Sequence, residues 1–395
     1  MSSQNQARAM TSPNSQSAPR RALVLSGGIA LGAFEAGAFA ALAEADRAAP
    51  DWIVAASIGA VNAALIAGNR PEDRVTALRS FWDLVASDPM PAFSALFGAP
   101  PPGGFWRRAY NDAAVLQSLL LGRPGLFRPR LVPGLGIGAA PAVYDLAPLI
   151  ARLEQTVDFD RLNAGGLRIS IVTTDVLSGE RVIFDTARGT RIGPAHVAAS
   201  GALLPVFSPV EVDGRLLADG GLASNTPLDL VLDEPGTAPL HCLTVELFVD
   251  AGPWPSRWGM SMMRAQDIAF SNQTARLLEG RAHTYRLRAK LDRLVTRLPA
   301  DLLGDPDIQQ VLADLPRPTG VATVARIFYR SGPDEAEPGK LFDFSRFTIA
   351  ERWAAGERGM SAAIQRLPRP DLATELAPGL LLHSLEAGPR RSADI

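Results

Sequence analysis

The sequence is poor in residues that cross-link a fold or bind a metal. A single cysteine, Cys242, in 395 residues excludes an intramolecular disulfide framework. With no secretion signal recognised, it fits a reducing, cytoplasmic setting. The four histidines, His196, His241, His283 and His383, are scattered. Neither H-E-x-x-H nor C-x-x-C occurs, so no metal or cofactor is expected. Basic runs are missing as well. The 39 Lys and Arg against 41 Asp and Glu leave a net charge of -2, which offers nucleic acid no electrostatic footprint. Long apolar runs are also lacking. Residues 22–34, behind Arg20 and Arg21, and residues 52–68 are uncharged. Both fall short of a span of about 20 residues and are interrupted by Gly, Ser or Asn. They read as buried strand-turn-helix units.

What is present is an ordinary globular composition, 47% apolar and 20% charged, long enough for one large domain with an appendage. Residues 1–19 are polar and rich in Ser, Gln and Asn, and read as a disordered leader. Ala22-Leu23-Val24-Leu25 and Trp52-Ile53-Val54-Ala55 read as buried strands, each turning into a helix. Pro71 opens a helix carrying Val75, Leu78, Trp82 and Val85 at helical spacing. Residues 88–142 change texture, with prolines, glycines and apolar groups crowded together, including Trp106 before Arg107 and Arg108. This segment reads as a lid-like insertion, for which a membrane-surface contact and a plain packed insertion both stay open. Strands follow at 167–174, 181–184, 210–212, 216–218 and 243–249. A boundary is drawn near residue 250. Beyond it, 251–395 reads as mainly helical, with one strand-like stretch at 321–329. Strand-helix alternation over 20–250 predicts a mainly parallel sheet covered on both faces.

Three short patterns carry the chemistry. Ser26-Gly27-Gly28-Ile29-Ala30-Leu31-Gly32 sits at a strand-to-helix turn, where glycines permit a sharp turn and the helix start offers free N–H groups. A dinucleotide fingerprint would need glycine at Ile29, and a phosphate-binding loop would need lysine at Ala33. Ala55-Ala56-Ser57-Ile58-Gly59 resembles a nucleophile elbow with alanine in the first place. Asp219-Gly220-Gly221, followed by Asn225-Thr226-Pro227, is a common turn when taken alone. Together the three solve one chemical problem. Ser57 is a weak nucleophile until a base takes its proton, and a carboxylate such as Asp219 can do so without histidine. Backbone N–H groups of Gly27, Gly28 and Ile29 can then meet the oxyanion.

In this order, and with Ala199 to Pro205 between the last two, the motifs resemble the patatin-like phospholipase family over residues 21–250. The resemblance implies a three-layer α/β/α sandwich and a catalytic dyad of Ser57 and Asp219. It also implies an oxyanion hole at Gly27, Gly28 and Ile29, with a lipid or acyl ester as substrate. The region beyond 250 is similar to a C-terminal extension of some bacterial members. Three residues depart from the family's pattern: Ala55 and Ile29 each replace a glycine, and Leu31 replaces a frequent arginine. Ile29 keeps its N–H available provided the loop does not need positive φ there. The expected activity is fatty-acyl ester hydrolysis through an acyl-enzyme. Acyl transfer by the same dyad is the alternative, as is a catalytically weak lipid-binding scaffold. A Ser-Asp-His triad would need His241 or His283.

Overall fold

A computed structural model describes residues 18–45, 49–98, 100, 103–130, 142–234, 236, 238–249, 258–314, 320–331 and 339–387. The leader expected at 1–19 lies almost wholly outside them. So do 131–141 and a few neighbours within the expected insertion.

The apolar runs form a central sheet. Its strands are β1 (Arg20–Leu25), β2 (Trp52–Ala56), β5 (Arg168–Asp175), β6 (Arg181–Asp185), β7 (Val210–Val212), β8 (Arg215–Asp219), β9 (Leu240–Glu246), β10 (Ala322–Tyr329), β11 (Thr374–Ala377) and β12 (Leu380–Ala387). Between β2 and β5, a separate short ribbon pairs β3 (Arg128–Pro129) with β4 (Tyr144–Asp145). The order across the main sheet is β11-β12-β10-β9-β1-β2-β5-β8-β7, with β6 paired to β5. The run β12-β10-β9-β1-β2-β5 is parallel throughout. Antiparallel strands close both ends.

Alternation along each strand divides the core in two. Leu23, Leu25, Ile53, Ala55, Leu243, Val245, Ala325 and Ile327 face one helical layer. Ala22, Val24, Trp52, Val54, Cys242 and Val324 face the other. The first layer holds the helices Gly32–Glu44, Ile58–Ala67 and Arg346–Arg366, and the second holds the long helix Trp258–Val295. The architecture is therefore a three-layer α/β/α sandwich with a mainly parallel sheet and a largely helical C-terminal region.

Strands β10, β11 and β12 extend the same sheet from residues beyond 250. The helix Arg346–Arg366 crosses Gly32–Glu44 at very close range. A Cβ at Gly37 would overlap the Trp353 carbonyl, and one at Gly356 would overlap the Phe34 carbonyl. Only glycine permits this backbone approach.

Within 88–142, where the sequence reads as an irregular segment, the structure has helices Pro91–Phe97 and Phe105–Leu121. The second is turned opposite to a usual surface helix. Arg107, Tyr110, Asn111, Ala114 and Ser118 face the protein, while Phe105, Trp106, Leu116 and Leu120 are exposed. The inward polar groups are matched: Arg107 makes a bidentate pair with Glu351 at 2.9 and 2.6 Å, and Tyr110 bonds Asp88. Inverted polarity hides a helix from a search for inward apolar spacing. No helix among the described residues is long and apolar enough to cross a membrane.

Candidate active site

Sheet register brings the three sequence motifs to one place. The glycine-rich loop leaves the C-terminal end of β1, and Ser57 follows β2 on the next strand. On β5, Val172 pairs with Ala56, the last residue before Ser57, and Thr173 pairs with Asp219. Ser57 and Asp219 therefore stand level on either side of β5. Their side chains meet: Ser57 Oγ donates to Asp219 Oδ2 at 2.7 Å, with both residues buried. Neither His196, His241 nor His283 bonds either residue. His241 is the second residue of β9, at the far end of the sheet, and His196 accepts from the Gly193 N–H and packs edge-on against Phe184.

The elbow is strained. Ser57 has φ +54°, a conformation that costs a non-glycine residue about 1–3 kcal/mol and persists only where neighbours enforce it. Here its N–H donates to Ser200 Oγ at 2.8 Å, and that hydroxyl donates to the Val172 carbonyl at 2.7 Å. Gly59 lies so close to β1 that a Cβ would stand 2.7 Å from the Leu25 carbonyl oxygen. Ala55 points into the first core, fully buried, and its methyl is accommodated there.

The loop from Ser26 is tied on several sides. Ser26 N–H donates to Glu35 Oε1 at 2.7 Å, and Ser26 Oγ donates to the Val245 carbonyl at 2.9 Å. Gly27 N–H donates to the Asn225 carbonyl at 3.2 Å, so that donor is committed within the protein. The Gly28 and Ile29 N–H groups have no partner among the described residues. Ile29 has φ +49°. The loop thus does use positive φ where the family has glycine, contrary to the condition set from sequence; a β-branched residue carries the strain, and its N–H is nonetheless left open. Leu31 is fully buried, so the place of the family's frequent arginine is filled here by core packing.

Burial pushes the Asp219 carboxyl up to about 6, while the hydrogen bonds from Ser57 and from the Gly221 N–H act in the opposite direction. The Gly221 bond, 2.6 Å to Oδ1, leaves Oδ2 for Ser57. The backbone behind Asp219 is held by the 199–205 segment, through Asp219 N–H to the Ala202 carbonyl and Gly220 N–H to the Ser200 carbonyl. That segment therefore supports both members of the pair.

Beside Ser57 lies a narrow, partly open cleft. Its walls are apolar: Ile58 and Val61 from the elbow helix, Leu126 from the insertion, Leu146 and Leu149 at the start of the helix Ala147–Thr156, and Phe207.

Two contributors were not singled out from sequence. Glu35 is fully buried, and burial holds its carboxyl well above the usual carboxylate range against bonds from Asn62 and Ser26. Asn62 also donates to the Gly32 carbonyl and accepts from Trp82 Nε1, so the network joins loop, elbow helix and core. An acid set within an Ala-rich stretch that is otherwise apolar from residue 32 to residue 43 is a sequence signal for such a buried partner. Gln273, on the long helix, bonds the backbone of Asn225 and Gly221. In a polar helix it carries no sequence signal.

A family model described as patatin-like phospholipase matches residues 23–232, and another described as patatin phospholipase matches 268–373. Uncharacterized NTE family proteins of Mycobacterium bovis and Mycobacterium tuberculosis are 31% identical over 152 residues, covering 33% of this chain and 38% of theirs. The chain thus matches well under half the length of these curated relatives. VipD from Legionella pneumophila aligns over 88% of this chain and 67% of its own, with TM-score 0.38 and 15% identity. The type III effector ExoU of Pseudomonas aeruginosa aligns over 89% of this chain and 54% of its own, with TM-score 0.35 and 14% identity. With more than half of its residues matched by the first model, the chain belongs to the patatin-like phospholipase family.

Proposed function

We propose that the protein hydrolyses fatty-acyl esters of lipids through a Ser57–Asp219 dyad. Asp219 takes the hydroxyl proton as Ser57 Oγ attacks the ester carbonyl. The carbonyl oxygen becomes an oxyanion, held by the Gly28 and Ile29 N–H groups, while Gly27 holds the loop. The bond to the leaving alcohol breaks, and Asp219 returns its proton to that alcohol. Water, deprotonated by Asp219, then attacks the acyl-enzyme. The fatty acid leaves and Ser57 is restored.

The observation that carries this reading is the 2.7 Å bond from Ser57 Oγ to Asp219 Oδ2, beside two uncommitted N–H groups. The apolar cleft supports an aliphatic acyl chain as the group placed next to Ser57. The outward apolar side of the helix Phe105–Leu121 supports peripheral contact with a lipid surface. It leads directly into Leu126 in the cleft wall.

The test is labelling by a fluorophosphonate probe, followed by product analysis on acyl esters. Wild type is expected to be modified at Ser57, Ser57→Ala to stay unlabelled, and free fatty acid to be released. A folded wild-type protein that never reacts would make it a lipid-binding scaffold. Ester product formed on adding an alcohol or lysolipid would mark acyl transfer.

A further inference from the structure

We infer that the C-terminal region completes the active site through Gln273, a positioning residue on the helix Trp258–Val295. The inference rests on the Ser57–Asp219 reading. Two parts of that site must keep their places during turnover: the loop that offers N–H groups to the oxyanion, and the turn that aims the Asp219 carboxylate. Gln273 touches the backbone behind both. Its Oε1 accepts the Asn225 N–H at 2.8 Å, and its Nε2 donates to the Gly221 carbonyl at 3.3 Å.

Each contact leads one step further inward. The carbonyl of Asn225 accepts the Gly27 N–H at 3.2 Å, and its side chain faces Gly27 so closely that a Cβ there would stand 2.5 Å from Asn225 Oδ1. Anchoring the Asn225 N–H therefore sets where Gly27, and the donors after it, can sit. The other arm grips Gly221, whose N–H holds Asp219 Oδ1 at 2.6 Å. A primary amide suits this double contact because it carries an acceptor and a donor on one planar group. The two catalytic arms come from distant strands, and one side chain couples them.

The helix does not depend on Gln273 for its own place. Leu278, Ala282 and Tyr285 are buried in the second core. Asp267 pairs with the buried Lys340 at 2.7 Å, and Arg264 donates to the Val249 carbonyl at 3.0 Å. Removing the amide thus loosens the site while the helix stays docked.

The test compares wild type, Gln273→Met, Gln273→Glu and Ser57→Ala on p-nitrophenyl butyrate, with thermal unfolding of each. Methionine keeps the length and removes both bonds, whereas glutamate keeps the acceptor for Asn225 and removes the donor to Gly221. Gln273→Met is expected to lower kcat about 10-fold to 100-fold with KM within about twofold, the signature of misplaced reacting groups. Its unfolding midpoint should stay near wild type, and Gln273→Glu should fall between the two. Wild-type kcat in folded Gln273→Met, with Ser57→Ala inactive, overturns the role of Gln273 alone. Full activity in Ser57→Ala overturns the dyad and this inference with it. Should Gln273→Met not fold, the folded Gln273→Glu decides: unchanged kcat overturns the inference, and a kcat-only loss supports it.

Discussion

Ser57 and Asp219 reach one another across strand β5, because Val172 pairs with Ala56 and the next residue, Thr173, pairs with Asp219. The register places a hydroxyl and a carboxylate at 2.7 Å above the end of an intervening strand, with no histidine between them. Substitution of either group should therefore remove the same function. Ser57→Ala and Asp219→Asn are each expected to slow p-nitrophenyl ester hydrolysis by at least about 10³-fold, and the double variant little more. Near wild-type steady-state rates in either single variant would refute the dyad.

In the proposed mechanism Asp219 must be ionised to accept the proton, and burial raises its pKa to about 6. The kcat/KM profile for a non-ionising ester should fall on the acid side with an apparent pKa of about 6, losing about tenfold per pH unit well below it. The same shift has a stability sign. A raised folded pKa favours the protonated carboxyl, so its contribution is present below the unfolded value of 3.8 and is lost as pH rises through about 6. Asp219→Asn removes that burden. It should be more stable than wild type at pH 8, by up to about 3 kcal/mol, with the gap closing towards pH 4, as read by thermal unfolding across pH.

Ile29 at φ +49° supplies a comparison of two substitutions. Inside helices and strands glycine is about 0.5–1 kcal/mol less stabilising than alanine. Here the left-handed backbone penalises alanine by about 1 kcal/mol or more. Ile29→Gly is therefore expected to be at least as stable as Ile29→Ala in urea unfolding. A clear advantage for alanine would mean the loop does not hold that conformation in solution.

Leu149 is buried in the cleft wall. Leu149→Ala should lengthen the acyl group that fits, raising kcat/KM for longer p-nitrophenyl esters relative to butyrate. Each added methylene that is accommodated contributes up to about 0.8 kcal/mol, a few-fold in rate ratio. An unchanged chain-length profile would place the acyl chain elsewhere.

Leu116 and Leu120 are 58% and 64% exposed on the helix Phe105–Leu121. Leu116→Glu with Leu120→Glu should reduce co-sedimentation with phosphatidylcholine vesicles more than tenfold, since each lost leucine insertion removes about 1.5–3 kcal/mol. Hydrolysis of a water-soluble short ester should stay unchanged. Undiminished vesicle binding would exclude this face as the lipid contact.

Local patterns made several elements legible in advance. The runs before Ser26 and Ser57 are short and wholly apolar, as strands buried on both faces must be, and each ends at small residues that allow a sharp turn. The order of glycine-rich loop, elbow and Asp-Gly-Gly carried the resemblance from which one shared site was expected, and the fold brings Ser57 and Asp219 to 2.7 Å. The helix Phe105–Leu121 was not legible, because its polar side faces inward to Arg107's partner Glu351 and its apolar side faces out. Strands β11 and β12 escaped for a different reason: β11 has only four residues and pairs with β12, and β12 is placed by its pairing with β10, which is distant in sequence.

The sequence by itself determined the residue types that can do the chemistry and the strand-turn-helix units that present them, since both follow from local spacing and backbone preference. Tertiary structure alone decided that Gly27 is held by Asn225 rather than free, that Ile29 sits at positive φ, and that Gln273 reaches the site from the far helix. Those outcomes depend on which backbone groups meet across the fold, and long-range packing sets them without leaving a mark on local sequence.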